Sequence, residues 1–226
     1  MGCGSRKEVK ALIKDKKVTV NGETIKKGDE HINENEDEVF VSGKKIEYKR
    51  FVYLMLNKPE GFVSANEDRD HKTVLSLVPE EYRHFDLFCV GRLDIDTTGL
   101  LILTNDGDFS HHITSPKHHV NKKYFARVAG ELNEEDITKF KDGITISGGE
   151  KCESALLEIA EVKDGESYAY LTISEGKFHQ VKRMYEARGK KVLSLKRVSI
   201  GNVTLDESLN KGEMRPLTEE EYLLLK

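Results

Sequence analysis

The feature that most constrains this fold is a series of short apolar runs that are not separated by regular helices. After residue 50, the runs that predict strands are 51–56, 85–90, 100–103, 123–128, 155–159, 168–173 and 192–200. Clear helix signals are few: Asn133 caps 134–141, Gly189 ends 179–188, and one more helix is expected near the C-terminus. A doubly wound parallel sheet would need a helix after almost every strand. The pattern therefore predicts an α+β fold.

The first 46 residues predict a small separate unit made of one helix and a hairpin. An S-x-x-E capping box at Ser5 starts the helix, and Asn21-Gly22 between two short β runs is a strong hairpin signal. A charged stretch at 46–50 marks the boundary with the rest of the chain. The predicted helix carries basic side chains at Arg6, Lys7 and Lys10.

Two runs in this unit carry a resemblance to a known RNA-binding module. The runs G-S-R-K-E at 4–8 and V-T-V-N-G at 18–22 together resemble the module first known from ribosomal protein S-four. The resemblance implies that residues 1–46 bind RNA and that Arg6, Lys7 and Lys10 contact it. In that family another short helix comes first, so the module of this chain is expected to be incomplete at its start.

The charges are unevenly distributed, although the net charge is only −4. Residues 1–27 hold eight Lys or Arg against three acids, and residues 177–197 hold eight against Glu186 alone. Separate basic stretches can bind a polyanion even when the whole chain is slightly acidic. Charge alone does not distinguish such patches from lysine-rich faces that only contact water.

Composition and spacing exclude several classes of protein. The chain has no apolar run of the roughly 18 residues that a membrane-spanning helix needs, and its start lacks the apolar stretch of a secretory signal. The three cysteines are scattered and form no CxxC pair, which favours a reducing compartment. The pairs His111-His112 and His118-His119 lack further ligands at metal spacing, so no metal is expected. We expect a cytoplasmic protein that has no membrane partner.

The most informative segment is 91–107, where Arg92 and Asp94 lie in a glycine-bounded link between two apolar runs. Turn residues at the end of a buried strand are where a rigid scaffold displays reactive side chains. Arg92 and Asp94 are two residues apart, so they point the same way in an extended chain. Taken alone, the spacing fits a surface loop with turns at Asp96 and Asn105 at least as well.

Three further motifs, read in order with this segment, carry a resemblance to a known enzyme family. The four motifs are N-K-P-x-G at 57–61, G-R-L-D-x-x-T-x-G-L-L at 91–101, K-x-Y at 122–124 and E-G-x-x-H-Q-V-K-R-M at 175–184. In this order they resemble the RsuA family of pseudouridine synthases, which act on ribosomal RNA. The resemblance implies a catalytic domain over 50–226. Its fold would be a mixed, mainly antiparallel, curved sheet with the active cleft across its middle.

The residue types suit the reaction of that family. Converting uridine to pseudouridine breaks the N1–C1′ bond, turns the base and joins C5 to C1′. The reaction involves no redox change or hydrolysis, so it requires no cofactor, and the sequence holds no cofactor motif. It needs a carboxylate that acts as a nucleophile or stabilises a sugar cation. By matching position, the resemblance implies that Asp94 is this carboxylate.

The resemblance also assigns roles to the other motif residues. Lys182 matches the basic partner that keeps Asp94 ionised, with the adjacent Arg183 as second choice. Tyr124 matches the tyrosine that stacks on the target base, and it is a candidate for removing the C5 proton. Arg92 matches the residue that helps to extrude the nucleotide from its stack. The basic residues interpreted as phosphate contacts are Lys58, Lys122, Lys123, Lys177, Lys190 and Lys191. Arg183 is also expected to bind RNA.

Two other classes of function remain open at this point. A non-catalytic RNA-binding or ribosome-assembly factor could keep the scaffold, but it would not need Asp94, Tyr124 and Lys182 together. A carboxylate hydrolase would need a second acid near Asp94, and only Asp96 or Asp106 is available. The prediction is therefore a bacterial, monomeric, site-specific pseudouridine synthase whose partner is ribosomal RNA or a ribosomal subunit precursor.

Overall fold

Residues 2–34 and 36–226 are described by a computed structural model of the chain. Two units can be distinguished: one contains the chain up to Phe51 together with Pro79–Phe85, and the other contains Val52–Val78 and Asp86–Lys226. The expectation of an incomplete module start falls on Met1, which lies outside the described residues.

The smaller unit confirms the predicted helix and hairpin. Helix α1 begins after Ser5, whose hydroxyl accepts the Glu8 N–H at 3.4 Å and donates to the Glu8 carboxylate at 2.7 Å. Four strands form an antiparallel sheet in the order β2-β1-β3-β4, and its core includes Ile13, Val18 and Ile25. The elements are α1 Arg6–Lys14, β1 Val18–Val20, β2 Glu23–Thr24, β3 Val39–Val41 and β4 Lys44–Ile46.

The larger unit is built on one mixed sheet. The main strand order is β13-β5-β7-β11-β8-β10-β9, with β6 also paired to β7 and β12 to β11. Its strands are β5 Tyr53–Lys58, β6 Phe88–Val90, β7 Thr98–Thr104, β8 Lys122–Ala129, β9 Leu156–Lys163, β10 Glu166–Ile173, β11 Lys191–Ile200, β12 Val203–Thr204 and β13 Met214–Pro216. Strands β7 and β11 pair in parallel, and the other named pairs are antiparallel. The predicted α+β class with a mainly antiparallel sheet is confirmed.

Four α-helices accompany this sheet: α2 Gly107–Thr114, α3 Glu134–Asp142, α4 Gln180–Glu186 and α5 Glu219–Leu225. Helix α3 starts as predicted, because the Asn133 side chain accepts the N–H groups of Glu135 and Asp136. Helix α2 was not predicted, although Asp106 caps it by accepting the Phe109 N–H at 3.1 Å. Within the part of the chain that the structure describes, none of the helices is long and apolar enough to cross a bilayer.

The parallel junction of β7 and β11 positions the cleft. At Gly99, with φ +99°, a Cβ atom would lie 2.2 Å from the Arg197 carbonyl oxygen, so only glycine allows the strands this close. The loop that carries Asp94 leads directly into β7, and α4 precedes β11. On the other side of β11, Tyr124 of β8 lies opposite Arg197. Loop, helix and strand therefore meet around one depression.

Candidate active site

Asp94 is held between two basic side chains of the α4 region. Its Oδ2 atom lies 2.8 Å from the Lys182 Nζ atom, and its Oδ1 atom lies 3.5 Å from Nε2 of His179. Lys182 also contacts Asp96, with 2.6 Å between Nζ and Oδ1. Of the two adjacent candidates for the basic partner, Lys182 is thus the one that faces Asp94.

The pKa values of Lys182 and Asp96 are shifted by their contact with each other, and that of Lys182 also by its contact with Asp94. Partial burial acts to lower the pKa of Lys182, but its hydrogen bonds and charge attraction to Asp94 and Asp96 outweigh burial, and the pKa is raised. For Asp96, partial burial acts to raise the pKa, but the hydrogen bond and charge of Lys182 reverse this and the pKa is lowered. The ammonium group of Lys182 therefore stays protonated at neutral pH.

The loop under Asp94 is fastened by a buried lysine, which corrects the prediction for Lys58. Lys58 has no solvent exposure, and its Nζ donates to the carbonyls of Thr97 at 2.8 Å, Pro59 at 3.0 Å and Ile95 at 3.3 Å. Burial lowers its pKa to about 8, despite the opposing charges of Asp96 and Asp94. Lys58 is therefore not a phosphate contact here, because its ammonium is buried beneath the loop that carries Asp94 and binds the carbonyls of that loop.

A second clamp holds the same loop from the other side. The Ser64 hydroxyl donates to the Leu93 carbonyl at 3.0 Å and accepts the Leu93 N–H at 3.1 Å. Both atoms belong to the residue just before Asp94. The backbone on each side of the carboxylate is thus fixed, which pre-orients Asp94 toward the cleft.

Tyr124 and Arg92 line the same cavity as Asp94, as the sequence predicts. The wider part of this cavity measures about 510 Å³. Tyr124 is largely buried, and within residues 2–34 and 36–226 its hydroxyl makes no hydrogen bond. Arg92 is exposed and likewise has no ion pair with a described residue. Both side chains are therefore open to a ligand.

The two lysines before Tyr124 point to opposite faces of the sheet. Lys122 lines the cavity with Tyr124. Lys123 alternates to the other face, where it pairs with Glu158 at 2.7 Å and lies 4.7 Å from the centroid of the Tyr170 ring. Lys123 is consequently not a contact of this cleft, which corrects the prediction that grouped the two residues.

The guanidinium of Arg183 is bound within the protein, so the prediction that Arg183 contacts RNA is wrong. Its guanidinium donates to both the hydroxyl and the carbonyl of Ser147, to the Glu150 carboxylate at 3.1 Å and to the Phe178 carbonyl at 3.0 Å. These bonds tie α4 to the loop around residues 147–150. Lys177, by contrast, lines the cavity while its ammonium pairs with the buried carboxylate of Glu175, and its predicted contact with phosphate stays a prediction.

Sequence reasoning missed three residues that the cavity contains. His179 contacts Asp94 from the left-handed position that caps α4, with φ 49°. Phe178 is 70% exposed and stacks on His179 with 3.8 Å between ring centroids. Arg197 is buried and also lines the cavity. The first two lie inside the E-G-x-x-H-Q-V-K-R-M motif, which was the signal available for them.

The predicted RNA-contacting residues of the small unit lie on the surface of α1. Arg6, Lys7 and Lys10 are exposed, and none forms an ion pair with a described residue. Their proposed contact with RNA stays a prediction. As for metals, the described residues contain no group of three or more His, Cys, Asp or Glu side chains that could hold an ion.

Comparison with known protein families assigns both parts of the chain. Residues 52–187 match the family model described as RNA pseudouridylate synthase. Residues 1–47 match the S4 domain.

Individual relatives extend this similarity over nearly the full length. The chain is 47% identical to an uncharacterised RNA pseudouridine synthase of Bacillus subtilis, with 99% of this chain and 94% of that protein covered. It is 42% identical to ribosomal small subunit pseudouridine synthase A of Haemophilus influenzae, with 96% and 92% covered. A crystal structure of a pseudouridylate synthase superposes with a TM-score of 0.73 at 41% identity, covering 98% of this chain and 94% of that one.

Proposed function

The chain belongs to the RNA pseudouridine synthase family, and from this premise we propose which residues carry out the isomerisation and on which RNA. The enzyme is an isomerase whose relatives modify ribosomal RNA. We propose that its substrate is a specific uridine of small-subunit ribosomal RNA, because that subunit appears in the names of several relatives. The observation that carries the assignment of the reaction is the ion pair of Asp94 with Lys182 in the cavity that Tyr124 also lines.

Asp94 is the group that reacts at the sugar. Its carboxylate attacks C1′ of the target nucleotide, or stabilises positive charge there, as the N1–C1′ bond breaks and its electrons stay on the uracil. The base then turns, C5 bonds to C1′, and the Asp94 carboxylate is released. C5 then loses its proton to solvent, directly or through Tyr124, and N1 takes up one proton from solvent, so atoms and charge balance without an added reactant.

Tyr124 and Lys182 support this chemistry in different ways. The Tyr124 ring lies in the cavity, where it can stack on the uracil while the base is detached, and its hydroxyl is a candidate for the C5 proton. A phenol is a weak base near neutral pH, so stacking is its principal role. Lys182 holds the carboxylate through the 2.8 Å ion pair and orients it toward the sugar.

The target nucleotide must leave its helix before C1′ can reach Asp94. Enzymes that act on bases flip them out of the stack and brace the gap. Arg92 is exposed at the cavity beside Asp94, and a planar guanidinium can both stack and bind phosphate. We assign it to extrusion of the nucleotide.

The two sequence segments divide the work of binding and reaction. Residues 1–46 form the RNA-binding module, where Arg6, Lys7 and Lys10 supply phosphate contacts from α1. Residues 50–226 form the catalytic domain. Exposed lysines and arginines give affinity without much sequence choice, so the selection of one uridine depends on RNA shape in the cleft.

The test is release of tritium from ribosomal RNA labelled at uridine C5, because pseudouridine formation must lose that label to water. We expect release by the wild type on small-subunit RNA and none by Asp94→Asn, which should still bind the RNA within a few-fold. Asp108→Asn, at an exposed position of α2, is the matched control and should keep full activity. The same assay on naked RNA, on assembled subunits and on large-subunit RNA shows which form the enzyme modifies.

Two outcomes would contradict this assignment. Equal loss of turnover and of RNA binding in Asp94→Asn would make Asp94 a structural residue. Cleavage of the RNA would instead favour a carboxylate hydrolase. We do not expect cleavage, because that reaction needs a protonated acid next to Asp94. The lowered pKa of Asp96 makes it a poor proton donor.

A further inference from the structure

Two buried cations line the cavity without an acidic partner among the described residues. Lys122 of β8 is 8% exposed and Arg197 of β11 is 3% exposed. The Lys122 ammonium has one long hydrogen bond, 3.5 Å to the Ser174 carbonyl. Arg197 donates through Nε to the Leu100 carbonyl at 2.8 Å, while its Nη2 is buried without a hydrogen-bond partner.

The acids that line this cavity bind other groups. Asp94 pairs with Lys182 and His179, Asp68 accepts hydrogen bonds from His71, and Glu175 is bound by Lys177 and Gln180. No carboxylate in the described part of the chain comes within ion-pair distance of Lys122 or Arg197. Burial lowers the pKa of Lys122, and repulsion by the positive charge of Arg197 lowers it further.

Such an arrangement is unfavourable unless something else compensates it. A buried charge without a counter-ion loses its hydration and gains no attraction in return. Two like charges facing one cavity therefore indicate a ligand that is itself an anion. An Arg and a Lys together suit the oxygens of a phosphate, to which the guanidinium can donate two parallel hydrogen bonds.

We propose that Lys122 and Arg197 form an anion subsite that binds a phosphate group of the RNA next to the target nucleotide. Tyr124 lies two residues from Lys122 on the same face of β8 and directly opposite Arg197 in β11. A base stacked on Tyr124 would therefore lie in the cavity that both cations line, and its backbone phosphate is the anion it would bring there. The identity of the anion as RNA phosphate rests on the proposed function, whereas the anion subsite does not.

The first experiment measures thermal unfolding of the full chain with inorganic phosphate against sodium chloride of equal ionic strength. We expect the wild type to be stabilised by about 3 °C at a phosphate concentration ten times its Kd. Lys122→Met should unfold at a higher temperature than the wild type in chloride, because an uncompensated charge has been removed, and should no longer respond to phosphate. Lys123→Met, the neighbour on the opposite face, should keep the phosphate response of the wild type.

Arg197→Lys provides a second variant in case the methionine disturbs the strand. This variant keeps the positive charge but loses the paired N–H donors of the guanidinium. We expect the apparent Kd for phosphate to rise at least threefold. A phosphate response that persists in both variants would overturn the subsite. Lys122→Met less stable than wild type in chloride would also overturn it, since Lys122 would then be a structural residue.

The second experiment connects the subsite to the reaction. In the tritium assay, Lys122→Met should raise KM for RNA at least tenfold while changing kcat less. A phosphate response without any tritium release by the wild type would leave the subsite in place and reject the proposed function. Normal tritium release with an unchanged KM in both variants would reject the RNA phosphate as its ligand.

Discussion

The basic side chains of the small unit and those of the cleft differ in how firmly they are held. On α1, Arg6, Lys7 and Lys10 extend into solvent without ion pairs to described residues. In the cleft, Lys182 is fixed between two carboxylates and Lys58 is completely buried. Basic side chains therefore have two roles. In the small unit they supply diffuse positive charge, and in the cleft each ammonium group is held in one position by hydrogen bonds.

This difference has consequences for substitution. An exposed lysine binds phosphate through charge that salt screens, and its neighbours can replace it. A lysine whose ammonium is fixed by hydrogen bonds has no substitute, because removing it also frees the groups that it held. Substitutions should thus change catalysis and stability in the cleft, but only affinity in the small unit.

The largest effect is expected for Lys182→Met. Without the ammonium, the carboxylate loses its orientation and its electrostatic partner, and kcat in the tritium assay should fall by about 100-fold or more. The adjacent Arg183→Met should keep kcat within about threefold at a temperature where it is folded, while its unfolding temperature falls. The reverse result, a large loss of kcat in Arg183→Met and a small one in Lys182→Met, would contradict the different roles assigned to these two neighbours.

The buried ammonium of Lys58 should make the free energy of unfolding depend on pH. Its pKa is about 8 in the folded protein and 10.5 ordinarily, so the unfolded state binds more protons between these values. The free energy of unfolding due to this group therefore rises as the pH increases from about 8 to 10.5. Denaturant unfolding should show the wild type gaining roughly 2 kcal/mol relative to Lys58→Met across this window. An unchanging difference would mean that Lys58 is hydrated rather than buried.

Neutralising the diffuse charge should weaken binding without affecting chemistry. For the triple variant Arg6→Gln, Lys7→Gln and Lys10→Gln, we expect RNA Kd to rise about tenfold near 0.1 M salt. The slope of log Kd against log salt should fall by about 2 because three phosphate contacts are lost, and kcat at saturating RNA should not change. A filter-binding series over salt concentration measures both quantities. If the slope is unchanged, α1 does not contact RNA.

The smallest effect is expected for Asp96→Asn. Lys182 would lose one of its two carboxylates but would keep Asp94, so kcat should change by less than about fivefold. Single-turnover tritium release resolves a change of this size. A loss comparable with that of Asp94→Asn would give Asp96 a direct part in the reaction and remove the distinction between the two acids.

Most strands could be predicted from sequence because they are apolar runs whose burial follows directly from composition. Strand β7 is almost entirely buried, and β10 alternates between buried and partly exposed residues. Helix α2 was missed because its two histidines weaken the apolar periodicity, although Asp106 was a usable cap signal. The motif residues Asp94, Tyr124 and Lys182 were found together because their spacing in sequence carries the resemblance.

The environment of individual lysines could not be predicted in the same way. Lys58 is buried because carbonyls 37 and 39 residues further along the chain surround its ammonium, and no local pattern indicates such partners. Alternation along a strand does indicate the face of a lysine from sequence. Lys122 and Lys123 are neighbours in β8, and Lys196 and Arg197 are neighbours in β11, so each pair must divide between the two faces.

The position of β11 in the sheet also determines the order in which the enzyme can assemble during synthesis. This strand lies between β7 and β8, yet it comes after β10 in the chain. Until it emerges from the ribosome, β5-β7 and β8-β10-β9 are two separate groups, each with an unpaired edge. The nascent chain therefore has neither a continuous sheet nor a complete cleft until residue 200 is available. We expect the pairing of β11 with β7 and β8 to be slow, because it joins segments that are distant in the chain.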